Sequence, residues 1–398
     1  MVVPKGYPLE EHHVVTSDGY TLRTFRIAHG RNTNTSQHTN PSRPPVLLLH
    51  GVSLSSTCWV VNEPSESLAF ILADAGYDVW MMNNRGNTFA RKQAQHSDLS
   101  PDFWRFSLDE LITIDLPDTL NYVLQATGYK TLAGFIGHSQ GGSVGLGAMA
   151  YDPSLGSKMG LVMALAPSVY VKFASTPLLV QFAKLFPGGQ ATSGTGLVSL
   201  ISPSEFAPMD REIHATLLDG FCQDIVNMPQ CRVLVETIFG ASPNIKTLQY
   251  RKYFQQWPAS TSTWNVLSWA QLFNSATPRF CLFNQGAELD LRRITAPVIL
   301  FTGGRDQIAS AQDNALVRAR LTEGGSFREE VITADYAHMD FIWDTNARTK
   351  VYPTLLAKLD AASKQRFLGF HETMVQALPL QFQHSDVQRL VQGLTTSP

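Results

Sequence analysis

The sequence predicts an α/β fold: one mostly parallel sheet covered by helices on both faces, interrupted late by a large, mostly helical insertion. Three observations predict it. Short apolar strands alternate with amphipathic helices between residues 46 and 166, the alternation stops near residue 168, and it resumes with a strand at 297. Strands alternating with helices require crossover connections, which build parallel sheets. No repeat with a period of about 20 to 50 residues competes with this reading.

Taken in order, the chain opens with a hairpin over 14–27, because Ser17-Asp18-Gly19 supplies a turn between His13-Val14-Val15 and Tyr20-Thr21-Leu22. Residues 30–45 are rich in Asn, Thr, Ser and Pro and read as a polar surface loop. The alternating part follows as strand 46–49, helix 66–74, strand 78–82, helix 107–125, strand 131–137, helix 140–151 and strand 160–166. Between 168 and 290 come Pro/Gly breaks such as Phe186-Pro187-Gly188-Gly189, helical patches and a modest excess of aromatics. The sheet pattern resumes with strand 297–301, a helix from Ala311, strand 329–333 and helix 351–359. The expected organisation is a core of 1–167 and 291–361, a cap or lid over 168–290, and a C-terminal extension over 362–398, in which 387–394 reads as a short surface helix.

With 398 residues, 44% hydrophobic and 16% charged, the chain is too apolar for global disorder. Its net charge of -2 provides no field for a nucleic acid. Apolar runs such as Val46-Leu47-Leu48-Leu49 fall far short of the roughly 18 residues that span a bilayer. Four cysteines without C-x-x-C spacing predict neither a disulfide scaffold nor a zinc site. Neither a metal nor a cofactor is expected, and no obligate protein partner is evident.

Gly137-His138-Ser139-Gln140-Gly141 fits G-x-S-x-G and stands between an apolar strand and a small-residue helix. A Gly-rich turn with a surface serine fits the five residues alone; the strand-turn-helix context favours a nucleophile elbow, in which the glycines Gly137 and Gly141 relieve backbone clashes. The helix that follows aims its free N–H groups at the same place, so the Gln140 amide is an oxyanion donor. A serine hydroxyl needs a base, and the base an orienting carboxylate. In α/β-hydrolases the order along the chain is serine, acid, histidine. Asp306 follows strand 297–301 and His338 follows strand 329–333, so they are the acid and base candidates. Asp335 and Asp340 are weaker acids because they flank the histidine in sequence. The loop after strand 46–49 begins His50-Gly51-Val52. In this fold that loop donates the second oxyanion amide, here Val52, and His50 is read as shaping the loop.

His50-Gly51-Val52, the run from Ser67 through Trp80, Asn84-Arg85-Gly86-Asn87-Thr88, the run from Phe103 through Glu110 and the elbow together resemble the acid lipase family, which includes gastric lipase, lysosomal acid lipase and fungal steryl ester hydrolases. The resemblance begins at Gly6-Tyr7-Pro8-Leu9-Glu10-Glu11 and continues through Ser268-Trp269-Ala270-Gln271-Leu272 to His338-Met339-Asp340-Phe341-Ile342-Trp343. It implies an α/β-hydrolase fold, Ser139, Asp306 and His338 as triad, and the amides of Val52 and Gln140 as oxyanion hole. It implies hydrolysis of neutral lipid esters, triacylglycerols or steryl esters, at a lipid–water interface. Three departures stand out: Gly142 replaces a common threonine, no leader is readable at the N-terminus, and the C-terminal extension is additional. Acyl transfer by the same triad and a non-catalytic lipid-binding role are the alternatives. Cys222 and Cys231, bracketing Met228-Pro229, resemble the cap disulfide of gastric lipase, the alternative being two buried thiols. Asn34-Thr35-Ser36 is a glycosylation acceptor. These two features point to a secreted or lysosomal/vacuolar protein; without a leader, a cytosolic or lipid-droplet setting is the alternative.

Overall fold

Strands β1 (Glu10–Val15) and β2 (Tyr20–Ile27) form the expected hairpin, pairing antiparallel with Val15 opposite Thr21. A computed structural model describes residues 1–31, 43–184, 203–207, 222, 224, 226–283 and 286–377. The polar loop beyond residue 31, with the Asn34 acceptor, and the 387–394 helix lie outside the described residues.

The hairpin leads into β3 (Pro45–Leu49), β4 (Asp78–Met82), β5 (Lys92–Gln93), β6 (Gly134–His138) and β7 (Leu161–Leu165). After two-stranded β8 (Glu205–Phe206) and β9 (Thr261–Ser262), the sheet is completed by β10 (Val298–Gly303) and β11 (Phe327–Thr333). Its order is β1-β2-β4-β3-β6-β7-β10-β11, with β5 on β2. From β4 to β11 every neighbour is parallel, and β3, β4, β6 and β7 are buried throughout. That burial explains why these strands read as unbroken apolar runs rather than as alternating ones.

The helices include α1 (Leu68–Asp74), α2 (Leu116–Thr127), α3 (Gln140–Tyr151), α4 (Pro177–Lys184), α5 (Met228–Phe239), α6 (Thr263–Asn274), α7 (Ala311–Glu323) and α8 (Tyr352–Ala377). On α2, Leu116, Leu120 and Val123 recur at helical spacing and are buried in one cluster with Leu47, Leu49, Trp80 and Phe135 of the sheet. Two expectations change in detail. The helix read over 107–125 starts with a capping box at Ser107 but passes through a wide π turn, Leu111–Asp115, before α2. Pro117 lacks the N–H that would continue the regular ladder. Strand 297–301 extends to Gly303, and the last helix continues well beyond residue 359.

The chain forms two compact units, Met1–Pro353 and Thr354–Pro398; the second contains most of α8. Among the described residues no helix is long and apolar enough to cross a membrane.

Candidate active site

Ser139 stands in the one-residue link between β6 and α3, with φ 54° and ψ -123°. A non-glycine residue reaches that region only under strain, which the flanking elements must hold. A Cβ on Gly141 would come within 2.2 Å of the Leu49 carbonyl oxygen, and one on Gly137 within 2.4 Å of the Gly141 backbone. Both positions therefore have to be glycine for strand and helix to meet this closely. The Ser139 amide donates to the Leu165 carbonyl at 2.9 Å, which ties the turn to β7.

The loops after β10 and β11 bring Asp306 and His338 to the same place. Ser139 Oγ lies 2.7 Å from His338 Nε2, and His338 Nδ1 lies 2.8 Å from Asp306 Oδ2. The second carboxylate oxygen, Asp306 Oδ1, accepts from the amides of Ile308 and Ala309 at 2.8 and 2.9 Å. With one oxygen occupied by backbone donors, the other is aimed at the imidazole. All three side chains are buried. Neither flanking aspartate reaches the histidine in this way: Asp335 is paired with Lys350 at 2.6 Å, which lowers its pKa, and Asp340 is bound to Ser242, Asn244 and the Ala337 amide.

Two further histidines support the site from beneath. His138 lies with Nε2 2.9 Å from the His338 carbonyl oxygen, so a proton on Nε2 fixes the backbone at His338. Burial, reinforced by the neighbouring His338, depresses its pKa to about 3. His50 donates from Nδ1 to the Gly51 carbonyl at 2.8 Å, and its Nε2 accepts from the Asn84 amide and the Asn87 side chain. Burial lowers its pKa to about 4, so it is a neutral brace for the loop carrying Val52.

Above Ser139 opens a cavity of about 470 Å³, lined by Val52, Val171, Phe239, Trp257 and Trp269 among others. Among the described residues its lining is almost wholly apolar; apart from Ser139 and His338 the hydroxyl-bearing side chains are Ser53 and Ser168, and Ser168 Oγ lies 3.4 Å from Ser139 Oγ. Trp269, on α6, donates from its indole to the Gln140 side chain at 2.9 Å. The Phe239 ring lies parallel to the His338 imidazole, 8° between planes and 6.3 Å between centroids. Cys222 and Cys231 are joined by a disulfide at the start of α5, with Cα atoms 5.8 Å apart, while Cys58 and Cys281 are free and buried. Sequence reasoning did not single out Ser168, Phe239 or the Trp269–Gln140 bond, since none follows from a local pattern.

Residues 1–63 match the model of a partial α/β-hydrolase lipase region, and residues 44–192 match the α/β-hydrolase fold. Gastric triacylglycerol lipase of Rattus norvegicus is 35% identical over 375 residues, covering 90% of each chain. The chain belongs to the acid lipase family. Within that family, the lysosomal acid lipase/cholesteryl ester hydrolase of Macaca fascicularis is 32% identical over 364 residues, covering 88% of this chain and 87% of its own. Among solved structures, a membrane phospholipase A described as a bacterial virulence factor aligns over 90% of this acid lipase chain and 87% of its own, with a TM-score of 0.50 and 16% identity. That likeness is one of fold.

Proposed function

We propose that this protein is a serine esterase that hydrolyses neutral lipid esters, triacylglycerols or steryl esters, through an acyl-enzyme. The observation that carries the reading is the unbroken chain Ser139 Oγ, His338, Asp306, with hydrogen bonds of 2.7 and 2.8 Å, at the floor of an apolar cavity. Membership of the acid lipase family supports the ester class. In this reading Ser139 Oγ attacks the ester carbonyl carbon while His338 Nε2 takes its proton. Asp306 accepts from Nδ1–H and stabilises the imidazolium that results. The negative charge on the carbonyl oxygen falls to the amides of Val52 and Gln140. Among the described residues neither amide donates to another protein group, and that of Gln140 is a first-turn donor without an intrahelical acceptor. Collapse of the tetrahedral adduct expels the alcohol, which takes the proton from His338. Water then repeats the sequence on the acyl-serine and releases the fatty acid.

Residues 168–290 act in this reading as a cap whose Val171, Phe239, Trp257 and Trp269 enclose the acyl chain. Trp269 anchors the cap to the elbow through Gln140. A panel of triacylglycerol and steryl ester emulsions, scored for released fatty acid, tests the proposal. Release from at least one class, abolished by Ser139→Ala, is the expected outcome; no release from either class overturns it.

A further inference from the structure

Beside the His338 loop lies a second carboxylate that the chemistry above does not use. Asp340 is fully buried two residues after His338, yet it is bonded to neither Ser139 nor His338. Its Oδ1 accepts from Ser242 Oγ. Its Oδ2 accepts from Asn244 Nδ2 at 2.9 Å and from the Ala337 amide at 2.7 Å. Asn244 is saturated as well: Nδ2 also donates to the Asp335 carbonyl at 2.9 Å, and Oδ1 accepts from Lys350 Nζ at 3.2 Å. Ser242 Oγ in turn accepts from the amides of Asn244 and Ile245, at 3.0 and 3.2 Å. Residues 242–245 are thus fastened to the loop carrying His338 through the Asp340 carboxylate, with the Asn244–Asp335 carbonyl bond beside it. They come two residues after α5, whose last residue, Phe239, lies parallel to the imidazole.

We propose that Asp340 is a positioning residue for His338: it latches residues 242–244 to the histidine loop, so that α5 holds Phe239 against the imidazole and fixes its orientation toward Ser139. The inference rests on His338 being the base, as set out above. A carboxylate can accept from all three donors at once, whereas a protonated acid or an amide presents a donor on one side. Ser242 Oγ already receives two amides, so its hydroxyl proton has to go to Asp340. Converting Oδ1 into a donor therefore breaks the latch at Ser242.

Burial pushes the Asp340 carboxyl up to about 6, while the three donors pull it down. The ionisable groups that face it are Asp344 and Tyr336 from its own loop and Tyr250 beyond Ser242; the Lys350–Asp335 pair reaches it only through Asn244. The latch is accordingly closed above about pH 6 and weakened below it.

Asp340→Asn imitates the weakened state at every pH. With a short soluble nitrophenyl ester and the full chain, the variant is expected to show kcat about tenfold below wild type at pH 8, the scale of a slightly misplaced catalytic group, with KM unchanged. At pH 5, where wild type is itself protonated at Asp340, the two are expected to agree within about twofold. Asn244→Ala removes the opposite partner, together with its bond to the Asp335 carbonyl, while leaving every residue of the histidine loop unchanged, and should lower kcat at pH 8 in the same direction; the double variant should be little worse than the more impaired single one. A pH-independent ratio between wild type and Asp340→Asn, or a loss of thermal stability with kcat intact, overturns the proposal. If Asp340→Asn does not fold, an unchanged kcat in Asn244→Ala overturns it. Fluorophosphonate labelling of Ser139 is read in the same samples: retained labelling in the variants separates failure of the latch from failure of the serine mechanism.

Discussion

Ser139, Asp306 and His338 sit on loops at the C-terminal ends of β6, β10 and β11, whereas Phe239, Asn244 and Trp269 reach the same place from the segment between β7 and β10. β6 and β10 are paired on both sides along the buried centre of the sheet, so their end loops inherit a fixed geometry. Among the described residues, the intervening segment adds no strand to that sheet. It is seated by individual bonds: the Trp269 indole on Gln140, Asn244 and Ser242 on Asp340, and the Cys222–Cys231 bridge at the start of α5. In the proposed function, chemistry therefore rests on loops held by the central sheet, and fit to the substrate on a segment that single substitutions should loosen. Local opening should concentrate there.

The comparison is sharpest at the carboxylates around His338. Asp306→Asn preserves shape but removes the charge opposite the imidazolium, and kcat is expected to fall by about 10⁴. Asp335→Asn, which only breaks an exposed pair with Lys350, is expected to leave kcat within about twofold, because such pairs contribute little. Steady-state kinetics on a soluble ester measures both. A larger loss in Asp335→Asn than in Asp306→Asn would mean that the sheet-borne loop had been misassigned.

A smaller effect belongs to the other half. The Cys222–Cys231 loop closes over a separation of 9, for which the chain-entropy argument gives about 2 to 3 kcal/mol. Replacing both cysteines by serine should loosen α5 and lower activity on emulsified long-chain esters. A short soluble ester, which needs little of the apolar wall, should still be cleaved at close to the wild-type rate. Equal loss on both substrates would show that the bridge supports the whole site, catalytic loops included.

The two halves also differ in how much of them the sequence reveals. The elbow is legible because Gly137 and Gly141 are demanded by close backbone contacts, and the buried strands because a parallel sheet covered on both faces is filled mainly by apolar residues. Asp306 and His338 are found from their places after the last two strands of the sheet. The role of Asp340 is not legible: its partners Ser242 and Asn244 are 98 and 96 residues away, and nothing in His338-Met339-Asp340 distinguishes a latch from a spare acid. The wide turn Leu111–Asp115 is hidden in the same way. It presents Asp115 to Arg85, whose side chain it meets at 2.8 Å, and an apolar periodicity cannot register such a pairing. The pairing of Cys222 with Cys231 rests on Met228-Pro229, where the chain can reverse between them, and on the family resemblance; neither excludes two buried thiols, and the structure joins them.

Covalent trapping of Ser139 tests the central claim most directly. A fluorophosphonate added to the folded chain should phosphonylate a single residue, found by peptide mass spectrometry to be Ser139, and His338→Ala should slow that labelling by on the order of 10³ or more, because the hydroxyl loses its base. An adduct on another residue, or labelling of Ser139 at an undiminished rate without His338, would contradict the account.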